Sequence, residues 1–405
     1  MRFAFGTTDF CPILLPDMPY RKPTFRNSPR PTRREWLAST TAFLASACTH
    51  RKARGYPGYA LVATSAENSV SVVDLNRFQL ARKIELNAAP SAVIATQRQS
   101  YALTPANGTV HLLNGVELRK TGSIRLGDHI DSIRLTPDGL SLVGISAQSR
   151  QMVVMDVESG KPVYRLGLDY EPLDFDLQVH AESKAVYAAV SGGASGVVEF
   201  IDLANRKKRR APVSGNLGNI RFRLDGGLAL VANYQGRSLL VIDTATAAPV
   251  CEIALAMRPE NLCFNSDQGQ LFVSGSGMDG IAIVFPYRTL EVDQTLLAGH
   301  APGAMACSDT PAYLFVASRA GSEISIVDID SRRVIAVMQA GQMPSHITIT
   351  PDQQYALVLN EASGDMAVIR ITTITANRRK TGASLFSMVP VGGRPVDTAI
   401  VTASS

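Results

Sequence analysis

The sequence has a single tryptophan among its 405 residues, and it sits at position 36, so no repeat in the body of the chain contains one. Cysteine is also scarce. Of five, only Cys251, Cys263 and Cys307 lie in the body, and no C-x-x-C spacing exists to build a zinc ribbon or attach a haem covalently. No H-E-x-x-H, G-x-S-x-G elbow, P-loop or EF-hand loop is present, which removes the familiar sequence signatures of zinc proteases, α/β-hydrolases, nucleotide binding and EF-hand calcium binding. No stretch carries a sustained 3.6-residue period, and no apolar run reaches the ~20 residues of a membrane-spanning helix. Charge of one sign is missing from the body as well. Residues 1–57 hold ten Lys+Arg against three Asp+Glu, leaving 30 against 32 elsewhere, so the net +5 resides in the leader. A near-neutral body has no single-sign field to attract nucleic acid.

The basic start reads as an export leader. In "PTRREWLASTTAFLASAC", Arg33 and Arg34 precede an apolar stretch from Trp36 to Ala47. The pattern resembles the bacterial twin-arginine export motif, with Trp36 where Phe is usual and Ala38 where Lys is common. The exit allows two readings. Cys48 resembles the lipidated cysteine of a lipobox, although Ala45 stands where Leu is usual, while Ala45-Ser46-Ala47 suits ordinary signal peptidase. An unprocessed basic tail is the plainer alternative. Met18 is an alternative start, which would leave a compact basic region before the apolar stretch. Cys11 lies in this doubtful beginning. The three body cysteines, in "VCEIAL", "NLCFN" and "MACSD", have apolar neighbours that favour buried, inert thiols, with one disulfide among them compatible with an oxidising envelope.

From Gly58 the chain falls into units of roughly 42 residues, each a series of four short apolar runs divided by turn residues. Calling the four strands A to D, "ITITPDQQYALVL" is strand A, a turn set by Pro351 and Asp352, and strand B; Thr136-Pro137-Asp138-Gly139 repeats the device. Strand C recurs as "SVSVVDL", "QMVVMDV", "VVEFIDL", "LLVIDT" and "ISIVDI", its terminal Asp a turn acceptor. Four-stranded units at this period predict an all-β protein with the β-propeller fold, since small twisted sheets find cover only against one another. The body opens with strands B, C and D that lack an A. It closes on "RPVDTAIV", an A that lacks the other three. The two complete one blade. Eight A strands give eight blades, with seven the alternative count, arranged as a leader and short linker over 1–57 and one propeller domain over 58–405.

"SVSVVDL", "LLVIDTATAAPV", "ALVANY" and "ISIVDIDSRRVIAVMQAGQMPSHITITPDQQYALVLN" resemble the YVTN family of β-propeller repeats found in exported and cell-surface proteins of bacteria and archaea. The resemblance covers 58–405 and implies the fold and the envelope rather than a reaction. Such repeats occur in surface-layer and binding proteins, and related propellers act as lactonases. Tryptophan-docked quinone propellers and repeats ending in Trp-Asp are excluded by composition.

In a propeller the A strands line the channel, and the D–A and B–C loops share the face where ligands usually meet it. One position per blade, the second after the D–A proline or its equivalent, forms a ring: Ala92, Ser132, Asp174, Asn219, Asn261, Ala304, His346 and Asp397. Its six polar members could hydrogen-bond a ligand or admit a divalent cation, or simply solvate the channel. No other cofactor is expected. Neighbouring loops add Arg258, Glu260, His129, Asp131, His300 and Arg394, with His129, His300 and His346 in corresponding loops of different blades. The basic runs Arg206–Arg210 and Arg378–Lys380 are expected between strands C and D at the outer rim, where they solvate turns and protect edges from association. Two functional readings follow: a non-catalytic binding or scaffold protein of the envelope, or a lactonase-type metal-dependent hydrolase. The first expects a monomer that meets a protein, glycan or small ligand on its loop face, touching membrane only through its leader or a lipid anchor.

Overall fold

The computed structural model describes residues 55–96, 99–115, 117–375 and 384–402. Arg33, Arg34, Cys48, Cys11 and the Arg378–Lys380 run lie outside them. Eight antiparallel sheets of four strands form a β-propeller. Their inner strands, neighbours around the ring, are Pro395–Thr402 (blade 1), Ala92–Ala95 (blade 2), Ser132–Leu135 (blade 3), Asp174–Val179 (blade 4), Leu217–Phe222 (blade 5), Arg258–Phe264 (blade 6), Pro302–Asp309 (blade 7) and Pro344–Ile349 (blade 8). The predicted count of eight is therefore correct. Among the described residues no helix is long and apolar enough to cross a membrane.

Blade 1 is assembled from both ends of the chain, as the unpaired runs required. Gly58–Thr64 pairs with Ser69–Asp74 on one side and with Pro395–Thr402 on the other, in register from Gly58 opposite Thr402 to Ala63 opposite Asp397. Further contacts fasten the seam: Tyr56 Oη meets Thr402 Oγ1 at 2.6 Å, Ser65 N donates to the Arg394 carbonyl at 3.0 Å, and Gly393 N donates to Glu67 Oε1 at 2.9 Å.

The core is not central but divided among the blade interfaces. Eight buried apolar clusters occur, and each joins two consecutive blades. Strand periodicity explains the division. In Gly58–Thr64, Ala60 and Val62 pack towards blade 8, while Leu61 and Ala63 pack towards blade 2. Successive side chains point to opposite faces, so a strand with a neighbour on each face must be apolar at every position. Strands B and C are accordingly continuous apolar runs, whereas the outer strands alternate: Val292–Leu297 is half-buried at one residue and exposed at the next.

Turn chemistry agrees with the sequence. The Asp ending strand C accepts backbone N–H bonds two or three residues on, at 2.8 Å from Asn76 to Asp74, 2.7 Å from Ser159 to Asp156, 2.8 Å from Thr246 to Asp243 and 2.7 Å from Ser331 to Asp328. At both Pro-Asp turns a Thr hydroxyl donates to the Asp at 2.6 Å, in Thr136–Asp138 and Thr350–Asp352. One expectation needs correction. In the Arg206–Arg210 run, Lys208, Arg209 and Arg210 belong to the outer strand Lys208–Ala211 rather than to the turn before it. They are also engaged: Arg209 lies over Tyr187, Lys208 reaches the Gly167 carbonyl, and Arg210 pairs with Asp169 at 2.9 Å.

Two outcomes follow. Deleting residues 395–405 uncovers the edge of Gly58–Thr64 and removes Val401 from the blade 1–2 cluster, a burial worth about 1.5–3 kcal/mol for that side chain alone. The truncated protein should lose the single cooperative transition in a circular-dichroism melt. The second concerns His111, which is fully buried in strand Thr109–Asn114, its Nε2 3.1 Å from Thr104 Oγ1. Burial, then the Lys120 ammonium, pushes the imidazole down to about 4. The unfolded chain takes up this proton near its ordinary value of 6.5 and the folded one does not, so stability declines as pH falls from 6.5 to 4. In urea unfolding, the deficit of His111→Gln relative to the parent should shrink over that interval.

Candidate functional site

The inner strands lack neighbours on their channel side, so their outward N–H and C=O groups need partners from elsewhere. Side chains provide many of them. Asp397 of blade 1 accepts the Val93 N–H of blade 2 at 2.8 Å. Asp174 and Asp176 of blade 4 accept Ile220 N at 3.2 Å and Phe222 N at 2.9 Å in blade 5. Asn219 donates to the Glu260 carbonyl of blade 6 at 2.7 Å, and Ser274 to the Gly303 carbonyl of blade 7 at 2.7 Å. Polar residues at the mouth thus stitch neighbouring blades together at the point where a backbone ladder cannot reach.

The predicted ring residues are all on the inner strands. Asn261 Nδ2 reaches Ser274 Oγ at 3.2 Å, and the Ser132 hydroxyl is buried with no hydrogen-bond partner. His346 Nε2 lies 3.3 Å from Asp397 and 3.0 Å from Thr348 Oγ1. In five blades the ladder slips at the mouth, as between Pro344 and His346 or Pro302 and Met305. Such bulges turn side chains out of the regular alternation.

Sequence reasoning missed a second layer two residues further along, where period-2 alternation returns to the same side. Arg134, Asp176, Arg221, Cys263 and Thr348 stand there, and the strings "SIRL", "DFDL", "NIRF", "NLCF" and "HITI" contained the signal. Asp174 is clamped between two of them, with Arg134 Nη2 at 3.1 Å and Arg221 Nη1 at 2.7 Å. Burial pushes the Asp174 carboxyl up, but Arg221 and Arg134 outweigh it and hold it below its ordinary value. Burial wins for Asp176 and Asp397, whose carboxyls are raised despite the nearby Arg221 and His346 respectively. Beside this clamp a cleft of about 380 Å³ opens between Ile94, Ile133, Arg134, Leu135, Asp176 and Asp397. The buried Arg134 Nε lacks a hydrogen-bond partner.

The histidines are not brought together. Each of the three loop histidines has its own carboxylate: His129 with Asp131 at 3.1 Å, His300 with Asp279 at 2.8 Å, and His346 with Asp397. Among the described residues no group of three or more His, Cys, Asp or Glu could hold a metal ion. The loop candidates pair locally too, Glu260 with Arg319 at 2.9 Å, Arg394 with Glu361 at 2.7 Å, and Arg258 over the Tyr234 ring.

The Asp174 clamp has a measurable signature. Asp174→Asn removes the carboxylate that contacts both guanidinium groups and leaves them only the more remote charge of Asp176, which costs about 3 kcal/mol when a mostly buried pair is broken. The lowered carboxyl contributes stability above its unfolded value near 3.8 and loses it as pH falls through the folded one. In guanidinium unfolding the deficit of the variant should be constant above pH 5 and shrink progressively as the pH falls below 3.8.

No family model matches the sequence. Among curated proteins it is similar to the dihydro-heme d1 dehydrogenase of Pseudomonas aeruginosa, with 27% identity over 179 residues, which is 42% of this chain and 35% of that protein. The chain thus matches about a third of the relative's length. Many solved structures share its fold, among them the following three. Dihydro-heme d1 dehydrogenase NirN in complex with DHE matches at a TM-score of 0.70 with 16% identity, over 88% of this chain and 78% of that one. Apo AztD from Citrobacter koseri matches at 0.64 with 12% identity, over 85% and 97%. The hydrazine synthase of Kuenenia stuttgartiensis matches at 0.54 with 17% identity, over 69% and 95%.

Proposed function

We propose that this chain is an exported binding propeller of the bacterial cell envelope, and that its channel mouth receives a flat, carboxylate-bearing ligand of the tetrapyrrole class. The observation that carries this reading is the Arg134–Asp174–Arg221 clamp beside an open cleft. Arg134 commits one donor to Asp174, and its side chain remains a third exposed, so other guanidinium donors face the cleft. A guanidinium has five donors in a planar fork, and an incoming carboxylate can take those left over without displacing Asp174. Ile94, Ile133, Leu135 and Leu177 give the same cleft apolar walls, which suit a ring system with charged edges.

The likeness to a dihydro-heme d1 dehydrogenase, one structure of which contains DHE, supports a tetrapyrrole as the ligand class. The twin-arginine-like leader at Arg33 and Arg34 and the lipobox-like Cys48 support the compartment. The lactonase-type alternative needs a metal, and the carboxylates proposed for it, Asp174 and Asp397, point to different partners.

Iron protoporphyrin titrated into the mature protein should give a saturable change in Soret absorbance. Arg134→Gln should weaken the affinity at least tenfold, about 1.4 kcal/mol, as should esterification of the porphyrin carboxylates. Asp138→Asn, on the opposite loop face, should leave it unchanged. An unsaturable titration, or equal affinity in Arg134→Gln, would refute the reading.

A further inference from the structure

Cys263 and Cys307 lie 44 residues apart on the inner strands of blades 6 and 7, and their sulfur atoms approach to 3.8 Å. Both are free and partly exposed. Apolar neighbours in the sequence favour inert core thiols, with one disulfide among the three compatible with an oxidising envelope, yet Cys263 occupies the second-layer position that carries Arg134, Arg221 and Thr348 in other blades. Cys307 meets it from the neighbouring strand, so two thiols from separate blades touch on the channel wall. A disulfide needs sulfurs about 2 Å apart, and small side-chain rotations on adjacent strands can close the remaining gap. Both thiols also pack against the apolar cluster that joins these blades, beside Phe272, Ile281, Leu314 and Val316.

The two sulfurs are not equivalent. A hydrogen bond from Cys307, followed by the positive charge of Arg221, holds the Cys263 thiol below its ordinary value against the effect of burial. The Cys307 thiol is pushed well up by the same hydrogen bond and by burial. One sulfur is thus suited to attack and the other to keep its proton, the division of labour found in dithiols that exchange with disulfides.

We propose that Cys263 and Cys307 form a redox-active dithiol on the channel wall, which thiol–disulfide exchange with a disulfide-bearing oxidant converts to a covalent bond between blades 6 and 7. Cys263 attacks one sulfur of the oxidant and forms a mixed disulfide, and the first thiol of the oxidant leaves with the Cys263 proton. Cys307 then attacks Cys263 Sγ, expelling the second thiol, which takes the Cys307 proton. The protein loses two electrons, and the oxidant gains them as two free thiols. The site does not depend on the ligand proposed for the mouth, and its chemistry requires only that such an oxidant reach the channel.

The mature protein, reduced and then equilibrated at graded ratios of reduced to oxidised glutathione, can be acid-quenched, alkylated, digested and mapped by mass spectrometry. A linked Cys263–Cys307 peptide should appear with a single midpoint while Cys251 remains alkylated, and the melting temperature should rise by a few °C on the oxidised side. Cys307→Ser should retain glutathione on Cys263. The proposal is overturned if both thiols are alkylated at every ratio, or if glutathione spreads evenly over all three cysteines. Retention of a copper or zinc ion that blocks exchange in chelator-treated protein would overturn it as well.

Discussion

A four-stranded sheet of this size has two apolar faces and no means of covering either. Everything else in the molecule answers to that constraint. Each blade lends one face to the blade before it and one to the blade after, and the eight buried clusters, one per junction, are the result. An open row would leave two such faces in water. A ring leaves none, provided that the first blade is complete, and that is why the pairing of Gly58–Thr64 with Pro395–Thr402 matters more than any other ladder.

Closing the ring moves the problem inward. The inner strands present backbone groups to a channel too wide for another ladder, and Asp397, Asp174, Asp176, Asn219 and Ser274 bridge the gaps instead. Asp174, Asn219 and Asp397 look like part of a binding ring when read in sequence, and all three are already committed to holding adjacent blades together. In the proposed binding role recognition falls to groups with spare donors, above all Arg134, whose counter-ion Asp174 is fixed in turn by Arg221. On that proposal structural and recognition roles share one layer, which ties any change at the mouth to the stability of the ring.

The fold was largely legible because its signals are local. Pro351-Asp352 and Pro137-Asp138 specify their turns within a few residues, Asp74 and Asp328 end strand C by bonding to the next backbone N–H groups, and the unpaired runs at the two ends implied their own pairing. The site was legible only in part. That Asp174 lies between Arg134 and Arg221, 40 and 47 positions away, depends on how far one inner strand is staggered against the next, which no local pattern encodes. The same holds for Cys263 and Cys307. The basic run was misplaced for a different reason, since a charged outer strand at Lys208–Ala211 has the composition of a turn.

The seam between Tyr56 and Thr402 spans 346 positions. At a ribosomal pace of 5–20 residues per second, the first three strands wait roughly 20 to 70 s for the fourth to be synthesised. Throughout that time the Gly58–Thr64 edge is bare, a template open to any passing strand. The bond that makes the finished wheel secure is also the last to form, and its delay sets the period during which the nascent chain most needs an escort.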